Sequence, residues 1–318
     1  MKKIKTMSTL NRREFIIQTA MAAPVFGLTF SNLPTMEKKI EPIFKISLAE
    51  WSLNRLLFGG KLDHLDFPLV ARQHGINAVE YVNQFFMDKA EDQTYLREMK
   101  DRADGEGVRS VLIMCDREGR LGDPDEARRL EAVDNHKKWV EAAKYLGCHS
   151  IRVNGYSEGS SEEQMKLVAD GLRRLCEISD PYGLNVIIEN HGGFSSNGKW
   201  LTGVMEMADH PRAGTLPDFG NFRISGRGEE VESYDSYRGV KELMPYARGV
   251  SVKTTVWDDE GNSSELDYER MMRIVLDAGY RGYCGIEHGP EGKEWEGIME
   301  VKKHLEETRD ALKGEYAR

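Results

Sequence analysis

The stretch VIIENHGG, residues 186–193, decides how the rest of the chain is read. Val186, Ile187 and Ile188 form a short β-branched run of the kind that makes a buried strand, and three polar residues, Glu189, Asn190 and His191, follow at once. Gly192 and Gly193 then break the chain. Taken alone, this is a strand running out into a solvated loop. Its meaning depends on whether the same arrangement recurs.

It does recur. Apolar runs stand at residues 44–50 (FKISLAE), 78–82 (AVEYV), 109–115 (RSVLIMC), 150–154 (SIRVN), 185–190 (NVIIEN), 214–220 (GTLPDFG), 249–255 (GVSVKTT) and 282–288 (GYCGIEH). Between them lie segments such as 126–147 and 162–183, with apolar residues three and four apart and a glycine at the end, the signature of amphipathic helices. Eight strand-then-helix units at intervals of roughly 30–40 residues predict a (β/α)8 TIM barrel, which typically takes about 250 residues. An open doubly wound sheet shares the alternation, but no GxGxxG follows the first strand and eight even units exceed one such domain. No linker rich in Pro, Gly or Ser divides residues 44–318, which are read as one barrel domain.

Composition narrows the function. A formal net charge of −9 and 31% charged residues describe a globular chain without the basic surface that phosphate backbones require, so no nucleic acid is expected as a partner. A small polar substrate fits better. Cys115, Cys148, Cys176 and Cys284 form no CxxC pair and read as small buried hydrophobes. Residues 1–40 stand apart as an export signal and linker: a basic start, Arg12-Arg13 before Glu14-Phe15-Ile16, and an apolar stretch to about Phe30. They resemble a twin-arginine signal, with Asn11 where Ser or Thr is usual, which predicts the twin-arginine machinery as a partner and a periplasmic location. Oligomeric state stays open.

In a barrel the loops after the strands build the active site. That rule turns the runs into an inventory: Glu50-Trp51 after the first, Glu80-Tyr81 and Asn83 at the second, Arg152 and Asn154 at the fourth, Glu189-Asn190-His191 at the fifth, Asp218 and Asn221 at the sixth, Lys253 at the seventh, Glu287-His288 at the eighth. Glu189, Asp218 and Glu287 would repel one another in one mouth unless a cation neutralises them. Oxygen-only ligation suits a divalent ion such as Mn2+ or Mg2+, with Zn2+ or Co2+ as alternatives. A dry ion network with Arg152 and Lys253 is the competing explanation. Glu80, Arg152, Asn154, Asn221 and His288 are candidates for binding substrate hydroxyls, and Trp51 for offering a sugar an apolar face. His191 is placed to bond a hydroxyl or relay a proton.

SLAEWSLNRLLFGGKLDHLDFP, AVEYVNQFF, GCHSIRVN, ENHGGFSSNG, GTLPDFGNFRISG and GYRGYCGIEH resemble the xylose isomerase-like TIM barrels, in particular the bacterial sugar phosphate isomerase/epimerase group, over about residues 45–312. The resemblance implies a metal held by Glu189, Asp218, the residue at position 251 and Glu287. It also implies acid/base work by Glu189 and Glu287 on opposite faces of the carbon beside a carbonyl. Many relatives read His-x-Lys where this chain has Ser251-Val252-Lys253, and Asp-x-x-His where it has Asp218-Phe219-Gly220-Asn221, so a nitrogen ligand is missing at each place. Lys253 is expected to hold a developing oxyanion.

The resulting expectation is a metal-dependent isomerase or epimerase that works on a carbohydrate through an enediolate. An exported enzyme meets unphosphorylated sugars or glycosides, so a lyase that expels the aglycone from a 3-keto glycoside by the same proton abstraction is the alternative. A non-catalytic sugar-binding barrel is the alternative outside enzymology, prompted by Ser251. Endonuclease IV shares the barrel but needs several His ligands and a basic face that this chain lacks.

Overall fold

Eight parallel strands follow one another around a nearly closed barrel. In this computed structural model, residues 41–226 and 230–317 are described. The strands are β1 Lys45–Ala49, β2 Ala78–Val82, β3 Arg109–Met114, β4 Ser150–Asn154, β5 Asn185–Glu189, β6 Ala213–Leu216, β7 Val250–Val252 and β8 Tyr283–Ile286. Each pairs in parallel with its sequence neighbour from β1 to β6, and β1 also pairs with β8, which pairs with β7. Between β6 and β7 closure runs through isolated bridges, Thr215 to Ala247 and Asp218 to Ser251. Helices α1 Phe67–Gln73, α2 Gln93–Gly105, α3 Glu126–Leu146, α4 Ser161–Ser179, α5 Gly198–Ala208, α6 Ser236–Leu243, α7 Tyr268–Asp277 and α8 Glu294–Tyr316 follow the strands in turn. Two small antiparallel hairpins, Arg223–Ser225 with Glu232–Ser233 and Thr255–Trp257 with Ser263–Glu265, extend the loops after β6 and β7. Residues 42–318 form one compact unit, and the export signal expected over residues 1–40 lies outside the described residues.

Strand periodicity sorts the side chains into two cores. Successive residues point to opposite faces of a strand. Val186 and Ile188 of β5, Ile151 and Val153 of β4, and Cys284 and Ile286 of β8 pack outward against the helices. Ile187, Leu112, Met114 and Leu216 fill the barrel interior with Ala49, Ala78, Val82 and Val111. Because the strands are buried on both faces, the sequence shows continuous apolar runs rather than alternation. All four cysteines are buried and free. Among the described residues no helix is long and apolar enough to cross a membrane.

The helices start where the sequence provides caps. Ser160 opens α4 with a reciprocal capping box to Glu163, and Asp125 accepts from Arg128 N at the start of α3.

Candidate active site

The same periodicity aims the polar residues. Counting by twos from the interior residue Ile187 reaches Glu189, and from Leu216 it reaches Asp218. Outward-facing Val252 and Ile286 place Ser251, Lys253 and Glu287 on the inner face, and Ile151 and Val153 do the same for Arg152 and Asn154. The structure brings these groups together at the C-terminal mouth. One carboxylate oxygen from each of Glu189, Asp218 and Glu287 lies within 4.8 Å of the others, and all three residues are buried.

Each carboxylate is held differently. Asp218 Oδ1 accepts from the Gly220 and Asn221 amides at 2.8 and 2.9 Å, while Oδ2 accepts from Ser251 Oγ at 2.9 Å and lies 3.3 Å from Lys253 Nζ. Its backbone is clamped by Asn190, which accepts from the Asp218 amide at 2.7 Å and donates to the Asp218 carbonyl at 2.9 Å. Lys253 also contacts Glu287 Oε1, and Ser251 Oγ lies 3.4 Å from Glu287 Oε2. Glu189 Oε1 accepts from Asn221 Nδ2 at 3.2 Å. Its Oε2 lies 2.8 Å from Arg152 Nε, yet no aligned hydrogen bond reaches that oxygen among the described residues. The chain leaves this cluster by a turn in which Gly192 and Gly193 both take positive φ, at 81° and 59°, a conformation open to glycine.

The electrostatics follow from burial and company. Burial pushes the Glu189 carboxyl well above the usual range, with Glu287 and Asp218 adding to the shift and Arg152 opposing it. Burial also acts upward on Glu287, but the Lys253 charge and hydrogen bond outweigh it and the net shift is down. Lys253 is raised: desolvation alone would lower it, and the Asp218, Glu287 and Glu189 charges reverse the sign.

Sequence reasoning missed Asp116. It accepts from Arg152 Nη1 and Asn154 Nδ2, both at 2.8 Å, and from Gln84 Nε2 at 2.9 Å. Burial would raise its pKa, but the Arg152 charge and these donors bring it to about 2. The signal was available: Asp116 continues the inward series Leu112, Met114, one residue beyond the apolar run.

Not every candidate reaches the cluster. Glu80 lies within β2, inside the barrel rather than at its mouth, and accepts from Ser47 Oγ at 2.6 Å. Tyr81 faces the outer core. Glu50 is a structural clamp, accepting from the Val82 amide at 2.9 Å and bonding His64 Nδ1 at 2.7 Å. His288 stands opposite in parity to Glu287 and lines a separate cleft of about 350 Å3 with Tyr268, Glu300 and His304. His191 is exposed at the rim, where its Nδ1 shares a 2.6 Å hydrogen bond with the Tyr156 hydroxyl. Trp51 is partly buried over the interior core and forms an aromatic wall with Phe85 and Phe58, at centroid distances of 6.2 and 6.1 Å.

The residues fit a divalent cation. Glu189, Asp218, Glu287 and Asp116 face only Arg152 and Lys253 within this network, leaving a formal charge of −2. A buried cluster in which one carboxyl is driven toward its neutral form, with an oxygen lacking an aligned donor, is one that a hard cation discharges. Glu189, Asp218 and Glu287 supply three oxygen donors for it.

The family pattern described as xylose isomerase-like TIM barrel matches residues 69–310. The L-ribulose-5-phosphate 3-epimerase UlaE of Escherichia coli (strain K12) is 25% identical over 231 residues, 67% of this chain and 74% of its own length. Among solved structures, the Escherichia coli 3-keto-D-glucoside 4-epimerase YcjR superposes with a TM-score of 0.61 at 16% identity, over 77% of this chain and 94% of its own. A xylose isomerase-like TIM barrel protein from Mycobacterium smegmatis, in complex with magnesium, gives 0.63 at 14% identity, over 85% and 98%.

Proposed function

The chain belongs to the xylose isomerase-like TIM barrel family, and from that premise we propose that it is a divalent-metal-dependent epimerase or isomerase of a keto-sugar. The observation that carries this reading is the convergence of Glu189, Asp218 and Glu287 within 4.8 Å at the barrel mouth. The similarity to a sugar epimerase along two thirds of the chain favours an enzyme over a non-catalytic sugar-binding barrel.

Glu189, Asp218 and Glu287 would hold the ion, which when bound supplies Lewis-acid stabilisation of negative charge on substrate oxygens. The remaining work belongs to the chain. Glu189 and Glu287 come from β5 and β8, on different sides of the mouth, and serve as the pair that removes a proton from the carbon beside the carbonyl and returns one to it. The carbon–hydrogen electron pair moves into an enediolate, and the Lys253 ammonium, held beside Asp218 and Glu287, is the fixed positive charge that would stabilise its oxygen. Arg152 holds Glu189 in place, and Asn221 donates to the same carboxylate. The partly buried rings of Trp51 and Phe85 limit water on one side, with the exposed Phe58 packed against both.

A second reading has one observation in its favour, the shared fold of an enzyme that acts on a 3-keto-D-glucoside. On such a substrate the same proton abstraction would expel the group on the β carbon, giving a lyase. Deuterium exchange from solvent into a panel of ketoses, run beside leaving-group release from 3-keto glycosides, separates the two. Metal analysis of the purified protein and Glu189→Gln test the mechanism: exchange should fall at least about a hundredfold in the variant. Full activity in protein free of metal would overturn the metal dependence.

We further propose export to the periplasm through the twin-arginine route, on the strength of Arg12-Arg13 and the apolar stretch that follows. A tagged full-length chain should move to the cytosol when both arginines are replaced by lysine; an unchanged distribution overturns this part.

A further inference from the structure

The β3 side of the mouth holds a pocket that the reaction above leaves unused. It encloses about 260 Å3 and is lined by Arg117, Glu118, Arg120, His136, Asn154 and Tyr156, together with Cys115 and Gly119. It adjoins the carboxylate site directly. Asn154 donates to Asp116 at 2.8 Å, and the Tyr156 hydroxyl is hydrogen-bonded to His191.

His136 lies on α3 and is only 2% exposed. Its Nδ1 is 2.7 Å from the Ala132 carbonyl oxygen. A carbonyl can only accept, so Nδ1 carries the proton and Nε2 is a bare acceptor in the neutral ring. Burial lowers the His136 pKa, which keeps the ring neutral. No described residue bonds Nε2.

The other polar groups differ in how far they are engaged. Glu118 accepts from Trp139 Nε1 at 2.6 Å and Lys138 Nζ at 3.0 Å, and Arg120 pairs with Glu158. Arg117 has no hydrogen bond or ion pair among the described residues, and its φ of 63° puts it in the left-handed region that non-glycine residues seldom occupy. Such strain concentrates where a loop serves a ligand. The pocket therefore presents one acceptor of a largely buried ring and, at its exposed edge, one unengaged guanidinium. An acceptor with no partner calls for a hydroxyl donor, and a guanidinium for an oxygen. A bare anion satisfies the second and leaves the first unmatched, whereas a polyol satisfies both. The volume suits one ring-sized unit, since sites for larger ligands begin near about 300 Å3.

We propose that this pocket is a second carbohydrate subsite, which receives a hydroxyl-bearing sugar unit joined to the keto-sugar that reacts at Glu189 and Glu287. His136 Nε2 accepts from one of its hydroxyls and Arg117 donates to a neighbouring oxygen. The substrate class is thereby a keto-disaccharide or comparable glycoside, and the assignment rests on the epimerase reading for where the reacting sugar lies.

Calorimetric titration of the metal-loaded protein with maltulose and with fructose tests it. The wild-type chain is expected to bind maltulose about tenfold more tightly, a preference that shrinks to within about threefold in His136→Phe and in Arg117→Gly. Glycine adopts the φ of residue 117 freely, so the second variant is expected to fold at least as well as the parent, which circular dichroism and thermal melting verify. Equal affinity for the two sugars in the wild type, no binding of maltulose, or a preference untouched by both variants overturns the subsite. Deuterium exchange on the same samples keeps the two readings apart: absent exchange with an intact preference sinks the epimerase and leaves the subsite standing.

Discussion

Two buried glutamates, one at the barrel mouth and one within the barrel, show how company rather than burial makes a working group. Glu189 and Glu80 both project inward from strand positions and are almost wholly removed from solvent. Glu189 stands beside Asp218 and Glu287 with Arg152 on one oxygen. Glu80 has the Ser47 hydroxyl as its hydrogen-bond donor, and its Oε2 has no partner among the described residues. Burial pushes Glu80 up to about 7, the Ser47 hydrogen bond opposing the shift. Space for it is made on the neighbouring inner face by Gly285, where a Cβ would come within 2.5 Å of both carboxylate oxygens. One glutamate sits among further charged groups at the barrel mouth. The other is a neutral-leaning group sealed in a wall.

The comparison breaks first on activity. Glu287→Gln, within the mouth cluster, should cost about a thousandfold in solvent-deuterium exchange, as removal of a general acid or base does. Glu80→Gln, one of the isosteric changes available below the mouth, should stay within about tenfold. A loss in Glu80→Gln equal to that in Glu287→Gln would make the inner carboxyl part of the chemistry.

Legibility in the sequence tracks the same division. The inward series through Ile187 to Glu189 and through Leu216 to Asp218 could be read because each acid ends an apolar run on the parity of an interior residue. Asp116 obeys the parity but stands after Cys115, outside the run, and its role exists only because Arg152 from the adjacent strand meets it. The depth of Glu80 was not legible, since it depends on how far β2 extends past the mouth-facing residues of its neighbours. His288 was legible in principle, because alternation turns it away from the side Glu287 faces. Trp51, His191 and the pocket around His136 lie on loops or a helix, where strand periodicity says nothing and close packing decides.

Lys253 sharpens the comparison at the next magnitude. It bridges Asp218 and Glu287, so Lys253→Met leaves two buried carboxylates facing each other and should cost about 3 kcal/mol in urea unfolding. Excess Mn2+ should restore most of that loss, because a cation bound only by the folded state at about a hundredfold over its Kd adds about 3 kcal/mol. An unchanged unfolding midpoint, or a loss that Mn2+ does not repair, would show that Lys253 is not the balancing charge.

Glu80 has a pH signature of opposite sign to a salt-bridged acid. Between its ordinary value of 4.5 and about 7 the folded state keeps a proton that the unfolded chain has released. Stability must therefore fall as pH rises through that window and level off above it. Glu80→Gln should remove the slope and leave the variant about 2 kcal/mol more stable than the parent at pH 8, seen as a widening gap in urea midpoints from pH 5 upward. Parallel pH profiles for the two proteins would mean that the buried carboxyl is solvated in a way the packing does not suggest.

The smallest effect tests the packing that isolates Glu80. Gly285→Ala would press a methyl against a carboxylate at the end of a flexible side chain, so Glu80 can swing aside and forfeit its bond to Ser47 rather than force the backbone apart. The cost should be about 1 kcal/mol, the worth of one buried hydrogen bond. In a Glu80→Ala background the obstacle is gone, and the same Gly285→Ala change should cost nothing or add stability by filling the space. A double-mutant cycle in urea measures that coupling directly. If the two changes prove additive, Gly285 answers to the backbone of β8 and not to the carboxyl across from it, and the inner glutamate owes its isolation to something other than the missing side chain.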